Sequence, residues 1–283
     1  MKNSRKALVL GGGGITGIGW ELGLLAGLRE QGVDLSDADV VIGTSAGAVV
    51  GAQLTSGVPV DELYARQLHE PDGELAESLG LKFTLRWVLA NVLPGGDRRA
   101  RMRVGKLALA ATTEPESQRR EVFAKLLAQA DWSDRQLQVT AVEAATGEVA
   151  VFDRASGVPL VDAVAASCAV PMVWPPMTIN GRRYMDGGAR SGTNADLATG
   201  CGRVVVLAPM PVALRRSGRI SEQLARLGPK VHSVVVSPDE NARKAIGRRI
   251  LDPAARAASA RAGRAQAASV RDRVAVVWGH PPA

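Results

Sequence analysis

Val40-Val41-Ile42-Gly43-Thr44-Ser45-Ala46-Gly47-Ala48-Val49-Val50 joins a short β-branched run to Gly-x-Ser-x-Gly and then to small apolar residues. The order suits a strand, a sharp turn and a buried helix, which narrows the chain to an α/β arrangement. Gly43 and Gly47 are the elbow glycines. A serine on a strained strand-to-helix turn needs neighbours without Cβ atoms, so that the backbone can fold tightly and a substrate can approach. The hydroxyl of Ser45 would then stand at the head of a helix. There backbone N–H groups and the helix dipole favour the negative charge that develops in acyl transfer. The same residues also suit a Gly/Ala-rich core strand and helix whose serine is incidental. Partners elsewhere in the chain must decide.

Lys6-Ala7-Leu8-Val9-Leu10 reads as a buried strand, Gly11-Gly12-Gly13-Gly14-Ile15-Thr16-Gly17 as a flexible loop, and Ile18 to Gln31 as a helix. Strand, glycine loop, helix, strand, elbow and helix begin a parallel α/β sheet. Gly12-x-Gly14-x-x-Gly17 also satisfies the dinucleotide fingerprint. That fingerprint wants an acidic residue at the end of the next strand, but Asp34, Asp37 and Asp39 all precede Val40, so a nucleotide cofactor is not expected. The loop is better used as a row of approachable backbone N–H donors facing the oxyanion of an ester under attack.

A chain of 283 residues can bury a large core, and with neither a repeat nor a linker we expect one domain over residues 1–283. The formal charge of +7 could serve nucleic acid or an anionic membrane, but aromatic residues make up only 4% and the arginines are scattered, which argues against nucleic acid. Cys168 and Cys201 have no metal or redox spacing, so we expect neither metal nor disulfide and a reducing, cytoplasmic compartment. The basic start at Met1 to Lys6 leads to four glycines rather than a signal h-region. The longest apolar stretch, about Val40 to Leu54, is shorter than the ~20 residues a spanning helix needs. The expectation is a soluble protein or a peripheral one at a membrane.

From Pro59 to about Gln129 the sequence turns helical and charged. Leu81 to Leu93 is its most apolar part and stops at Pro94-Gly95-Gly96. We read it as a core helix, with a cap or interfacial helix as the alternative, because Lys82, Arg86, Arg98, Arg99, Arg101 and Arg103 rim it. Gln138 to Glu143 and Glu148 to Phe152 form a hairpin, Val161 to Ser167 a small-residue helix, and Val170 to Pro176 an apolar proline-stiffened loop. Met177 to Ile179 and Arg182 to Met185 flank Asn180-Gly181, a strong hairpin signal, and run into Asp186-Gly187-Gly188. Arg203 to Leu207 and Val231 to Val236 read as later buried strands, Met210 to Pro229 as a basic, irregular and mobile segment, and Asn241 to Arg273 as a solvated helical tail.

A serine nucleophile needs a proton acceptor. His69 lies in the charged insert, His232 inside a strand run and His280 near the C-terminus, and none has a loop context that would aim an imidazole. Asp186 follows an apolar strand arm and precedes two glycines. A buried carboxylate there could take the serine proton and return it to the leaving alcohol, or could simply cap its own Asx turn.

Gly11 to Gly17, Gly43 to Gly47, the run Ala166-Ser167-Cys168-Ala169-Val170-Pro171 to Trp174-Pro175-Pro176, and Asp186-Gly187-Gly188 together resemble the patatin-like phospholipases over roughly Lys6 to Leu207. The resemblance implies a three-layer α/β/α fold with a mainly parallel central sheet and a lipid acyl-ester substrate. It also implies metal-free chemistry with Ser45 as nucleophile, Asp186 as base and the amides of Gly12, Gly13 and Gly14 as oxyanion donors. Two positions depart from the family pattern: Thr16 replaces a basic residue of the glycine loop, and Asn194-Ala195-Asp196 lacks the proline of Asn-x-Pro. A non-catalytic lipid-binding relative and an acyltransferase with the same dyad are the alternatives.

Overall fold

β1 (Lys6–Leu10) is apolar on both faces, with Leu8 and Leu10 pointing to one side and Ala7 and Val9 to the other, all fully buried. Such a strand belongs at the centre of a sheet covered on both faces. The computed structural model describes residues 5–69, 81–127, 129 and 131–279, and it places β1 there. β1 pairs in parallel with β2 (Val40–Thr44) on one side and β7 (Arg203–Leu207) on the other; β2 continues in parallel to β3 (Leu137–Glu143), and β7 to β8 (His232–Val236). Antiparallel strands complete the β3 side: β4 (Val149–Phe152) and β6 (Arg182–Asp186) pair with β3, and β5 (Met177–Ile179) with β6. The eight-stranded sheet is therefore mainly parallel.

One face carries α1 (Gly14–Glu30), α2 (Ala46–Thr55), α3 (Val60–Gln67), α7 (Leu160–Ser167), α9 (Glu240–Ile246) and α10 (Arg256–Trp278), with Phe123 of α6 (Glu116–Leu126) in the same core. The other face is covered by α4 (Leu81–Val92) and α5 (Asp97–Leu109) over Val142 and Met185, and by the turns at 195–201 with α8 (Ile220–Arg226) over Val9, Ile42 and Val206. These are the three layers expected from the sequence.

Several expectations are corrected. α1 begins at Gly14, four residues earlier than read, so the glycine loop is short and its last members already belong to a helix head. β8 is an edge strand with His232 and Ser233 exposed, because only β7 pairs with it. The 210–229 segment is not free of structure: α8 lies within it and Arg215 ties it to the α4–α5 turn.

The C-terminal tail is the largest departure. α10 is a core helix rather than a solvated one: Ala260, Ala267, Val270, Val274 and Trp278 are buried in the main core, and the first turns of α10 pack on α1. Close approach is what hides it from a charge-based reading. A Cβ on Gly23 would lie 2.0 Å from the carbonyl oxygen of Ala260, and one on Gly263 2.2 Å from that of Trp20. Trp20 Nε1 donates to Gln266 Oε1 at 2.9 Å, and Trp278 Nε1 donates to Asp37 at 2.7 Å. Arg261, Arg264 and Arg273 of α10 are exposed and conceal an interior stripe of alanine, glycine and valine.

Candidate active site

The end of β2 and the start of α2 make the turn that the sequence announces. Ser45 sits between them at φ 54° and ψ −119°, a positive φ that only strong local constraint maintains in a non-glycine residue. The constraint is visible on both sides. A Cβ on Gly43 would stand 2.5 Å from Ala48 Cα, and one on Gly47 2.1 Å from the carbonyl oxygen of Leu10, so α2 starts directly over the end of β1. Gly47 N–H donates to the carbonyl of Gly11 at 3.0 Å, which fastens the elbow to the glycine loop. Gly12 comes so near that its Cβ would lie 3.4 Å from the Cβ of Ser45.

Asp186 closes β6 and opens the turn through Gly187 and Gly188. Its N–H donates to Ala169 O at 2.9 Å and its carboxylate accepts Gly188 N–H at 2.7 Å. A Cβ on Gly187 would meet Thr140 Oγ1 at 2.4 Å, which is why the turn after Asp186 can lie flat on β3. Burial pushes the Asp186 carboxyl up to about 6, against the Gly188 N–H and the neighbouring Ser45 hydroxyl, which pull it down.

The segment between α7 and β5 holds both residues at once. Ser167 Oγ accepts the Ser45 N–H at 2.9 Å, Cys168 Sγ donates to Ser45 O at 3.2 Å, and Ala169 O holds Asp186 as described. Burial, with Asp186 nearby, pushes the Cys168 thiol up, which favours the neutral thiol that donates to Ser45 O.

The glycine loop needs one correction. Gly12 N–H already donates to Gly192 O at 2.7 Å, which removes it from the expected oxyanion donors. The amides of Gly13 and Gly14 have no hydrogen-bond acceptor among the described residues and lie at the N-terminal head of α1, where a helix leaves its first donors unpaired. Thr16, at the position expected to be basic, is fully buried, with Oγ1 3.4 Å from Gly13 O and 3.3 Å from Ile250 O. Gly14 fits under Ile250 only because it lacks a Cβ, which would stand 2.6 Å from that carbonyl oxygen. The loop is thus braced from the 250 region instead of by a basic side chain. Behind it, the fully buried Glu21 accepts Gly11 N–H at 2.9 Å, and burial holds its carboxyl well above the usual range.

The histidines stay apart from the site. His69 and His232 are exposed, and His232 pairs with Arg203 at the end of the sheet opposite Ser45. His280 lies outside the described residues.

The patatin-like phospholipase model matches residues 8–199, which hold both motif loops and Asp186. The chain belongs to the patatin-like phospholipase family. Among solved structures it is similar to VipD from Legionella pneumophila, with 14% identity and a TM-score of 0.46 over 96% of this chain and 67% of that one. It is also similar to the type III effector protein ExoU, with 17% identity and a TM-score of 0.39 over 96% of this chain and 54% of that one. No curated protein matches. The brace at Ile250 and the whole of α10 lie beyond the part that the family model covers. Ser167 and Asn194 lie within motifs of the sequence that do not by themselves mark them as supports of the site, and Glu21 lies in none. A carboxylate in an otherwise apolar helix was the available signal for Glu21.

Proposed function

We propose that this chain is a lipid acyl-ester hydrolase working through a Ser45/Asp186 dyad. The observation that carries the reading is the strained elbow that sets the part-exposed Ser45 hydroxyl beside the buried Asp186 carboxyl, whose basicity burial has raised. Asp186 takes the hydroxyl proton as Ser45 Oγ attacks the acyl carbonyl, and the amides of Gly13 and Gly14 hold the oxyanion of the tetrahedral intermediate. Collapse expels the alcohol, which leaves with the proton from Asp186, and an acyl-serine remains. A water attacks that ester in turn, giving its proton to Asp186, and the fatty acid departs as Ser45 recovers its hydrogen. Membership of the family supports a lipid substrate.

The test is a paired one. Ser45→Ala and Asp186→Asn should each lose ester hydrolysis with unchanged circular dichroism, and a fluorophosphonate should add covalently to Ser45 in the parent chain alone. Full activity in either variant would sink the dyad.

A further inference from the structure

Among the described residues thirteen large apolar side chains are exposed, and seven of them fall in two short runs: Leu85, Leu89, Val92 and Leu93 along α4, and Met210, Val212 and Leu214 after β7. Their exposures run from 40 to 74%. The reading of residues 81–93 as a core helix therefore fails for one side of α4. Trp87 and Ala90 pack inward on the cluster of Met185 and Ala189, which flank Asp186, while Leu85, Leu89 and Val92 face out.

The two runs are stapled together. Arg215 donates to Asn91 O at 2.6 Å, Gly95 O at 2.7 Å and Asp97 Oδ1 at 2.7 Å. Arg103 donates to Ala90 O, Leu93 O and Pro94 O. Two guanidinium groups thus satisfy the carbonyls at the α4 C-terminus and fix the apolar ledge in place. The ledge also adjoins the glycine loop: Pro209, next to Met210, lies where a Gly13 Cβ would meet it at 2.5 Å.

Charge says what the ledge meets. Residues 81–109 hold seven basic side chains and one acidic, Asp97, which Arg215 occupies. Arg99 and Lys106 lie along one stripe of α5 with Arg103, bordering a groove of about 710 Å³ floored by Met102, Leu109 and Ala144. Exposed Arg86 adds to them on α4. Two exposed apolar runs joined through Arg215, with cations beside them and Pro209 against the glycine loop, match an interface of acyl chains below anionic headgroups.

We propose that the outward face of α4, with Met210, Val212 and Leu214, docks this chain on an anionic lipid bilayer and presents its esters to Ser45. The delivery step rests on the hydrolase reading above; the docking itself does not.

The experiment compares the full chain with Leu85→Ser/Leu89→Ser/Val212→Ser and with Arg86→Glu/Arg99→Glu/Lys106→Glu, all in a Ser45→Ala background for binding. Co-sedimentation with phosphatidylglycerol/phosphatidylcholine vesicles should be strong for the parent, weaker on phosphatidylcholine alone, and weakened by salt. Each triple variant should bind at least ~10-fold less, with an unaltered thermal melt. With Ser45 restored, both variants should lose vesicle hydrolysis and keep the parent kcat/KM on a soluble short-chain ester. Equal vesicle binding by parent and apolar variant would overturn the proposal, as would absence of parental binding. So would a parental dimer that the apolar variant dissociates, since a second copy would then own the face. Vesicle binding without hydrolysis of any ester would instead defeat the hydrolase reading and leave docking intact.

Discussion

The side-chain amide of Asn194 donates to Thr44 Oγ1 at 3.0 Å, one residue before Ser45. The same Nδ2 lies 3.2 Å from Thr140 Oγ1, 3.0 Å from Ser191 O and 3.4 Å from Gly187 O, one residue after Asp186. Asn194 is fully buried, in a left-handed conformation that asparagine tolerates, and Arg190 Nη1 donates to its Oδ1 at 2.7 Å. One amide therefore ties the strand end that carries Ser45 to the turn that carries Asp186, the two members of the proposed dyad. The Asn-x-Pro departure at this loop leaves the asparagine itself in service.

Asn194→Ala should therefore lower kcat on a soluble ester by roughly 10- to 100-fold with little change in KM, because the amide positions the dyad without touching substrate. It should also cost about 1–3 kcal/mol of stability for the buried groups left unpaired. Steady-state kinetics beside a urea titration separates the two effects. An unaltered kcat would mean that Thr44 and Gly187 hold the dyad without it.

In the proposed mechanism Asp186 sets the acid limb of activity. Its carboxyl works as a base only when ionised, and burial has raised it to about 6. kcat/KM should fall as pH drops through about 6 and level off above it. The Ser45 hydroxyl is one of the groups pulling that value down, so Ser45→Ala should move the Asp186 titration upward, as followed by carbon-detected NMR of the carboxyl. A downward move would contradict a Ser45 hydroxyl that lowers this carboxyl.

Legibility in the sequence followed the range over which each cause acts. β1, β2, the elbow and the Asn180-Gly181 hairpin were readable because β-branched runs and turn residues act within a few positions. The turn positions of Ser45 and Asp186 were readable because each sits in its own glycine context. The supports were not: Ser167 on the Ser45 amide and Ile250 on Thr16 each join residues far apart in the chain, and Glu21 under Gly11 lies in no motif. The engagement of Gly12 was hidden for the same reason, since its acceptor is Gly192. α4 misled in the opposite direction, because an apolar face turned to solvent has the same composition as one turned to a core.

Glu21 makes stability depend on pH. Its folded value is raised by burial, so the contribution of its protonated form is full below about pH 4.5 and is lost as pH rises through the folded value. Glu21→Gln keeps an acceptor for Gly11 N–H and cannot ionise. Its stability should match the parent near pH 4 and exceed it at pH 8, giving a flatter profile in denaturant titrations across that range. Parallel profiles would show that Glu21 is not the titrating group.

The α1–α10 contact offers a sharper test of how the C-terminal part serves the site. Gly23→Ala puts a methyl 2.0 Å from Ala260 O, backbone that can yield only if α10 moves away. Overpacking of this kind costs ~1–3 kcal/mol or more, which in a chain of this size lowers Tm by several degrees. The same movement would draw on the segment before α10, where Ile250 O accepts Thr16 N–H at 3.1 Å and limits Gly14. The folded fraction of Gly23→Ala should therefore lose kcat as well as stability, whereas Gly96→Ala, whose Cβ meets nothing within 4 Å, should lose neither appreciably. Calorimetry and kinetics well below Tm distinguish the cases. A destabilised Gly23→Ala with parental kcat would show that α10 supports the fold without bracing the glycine loop.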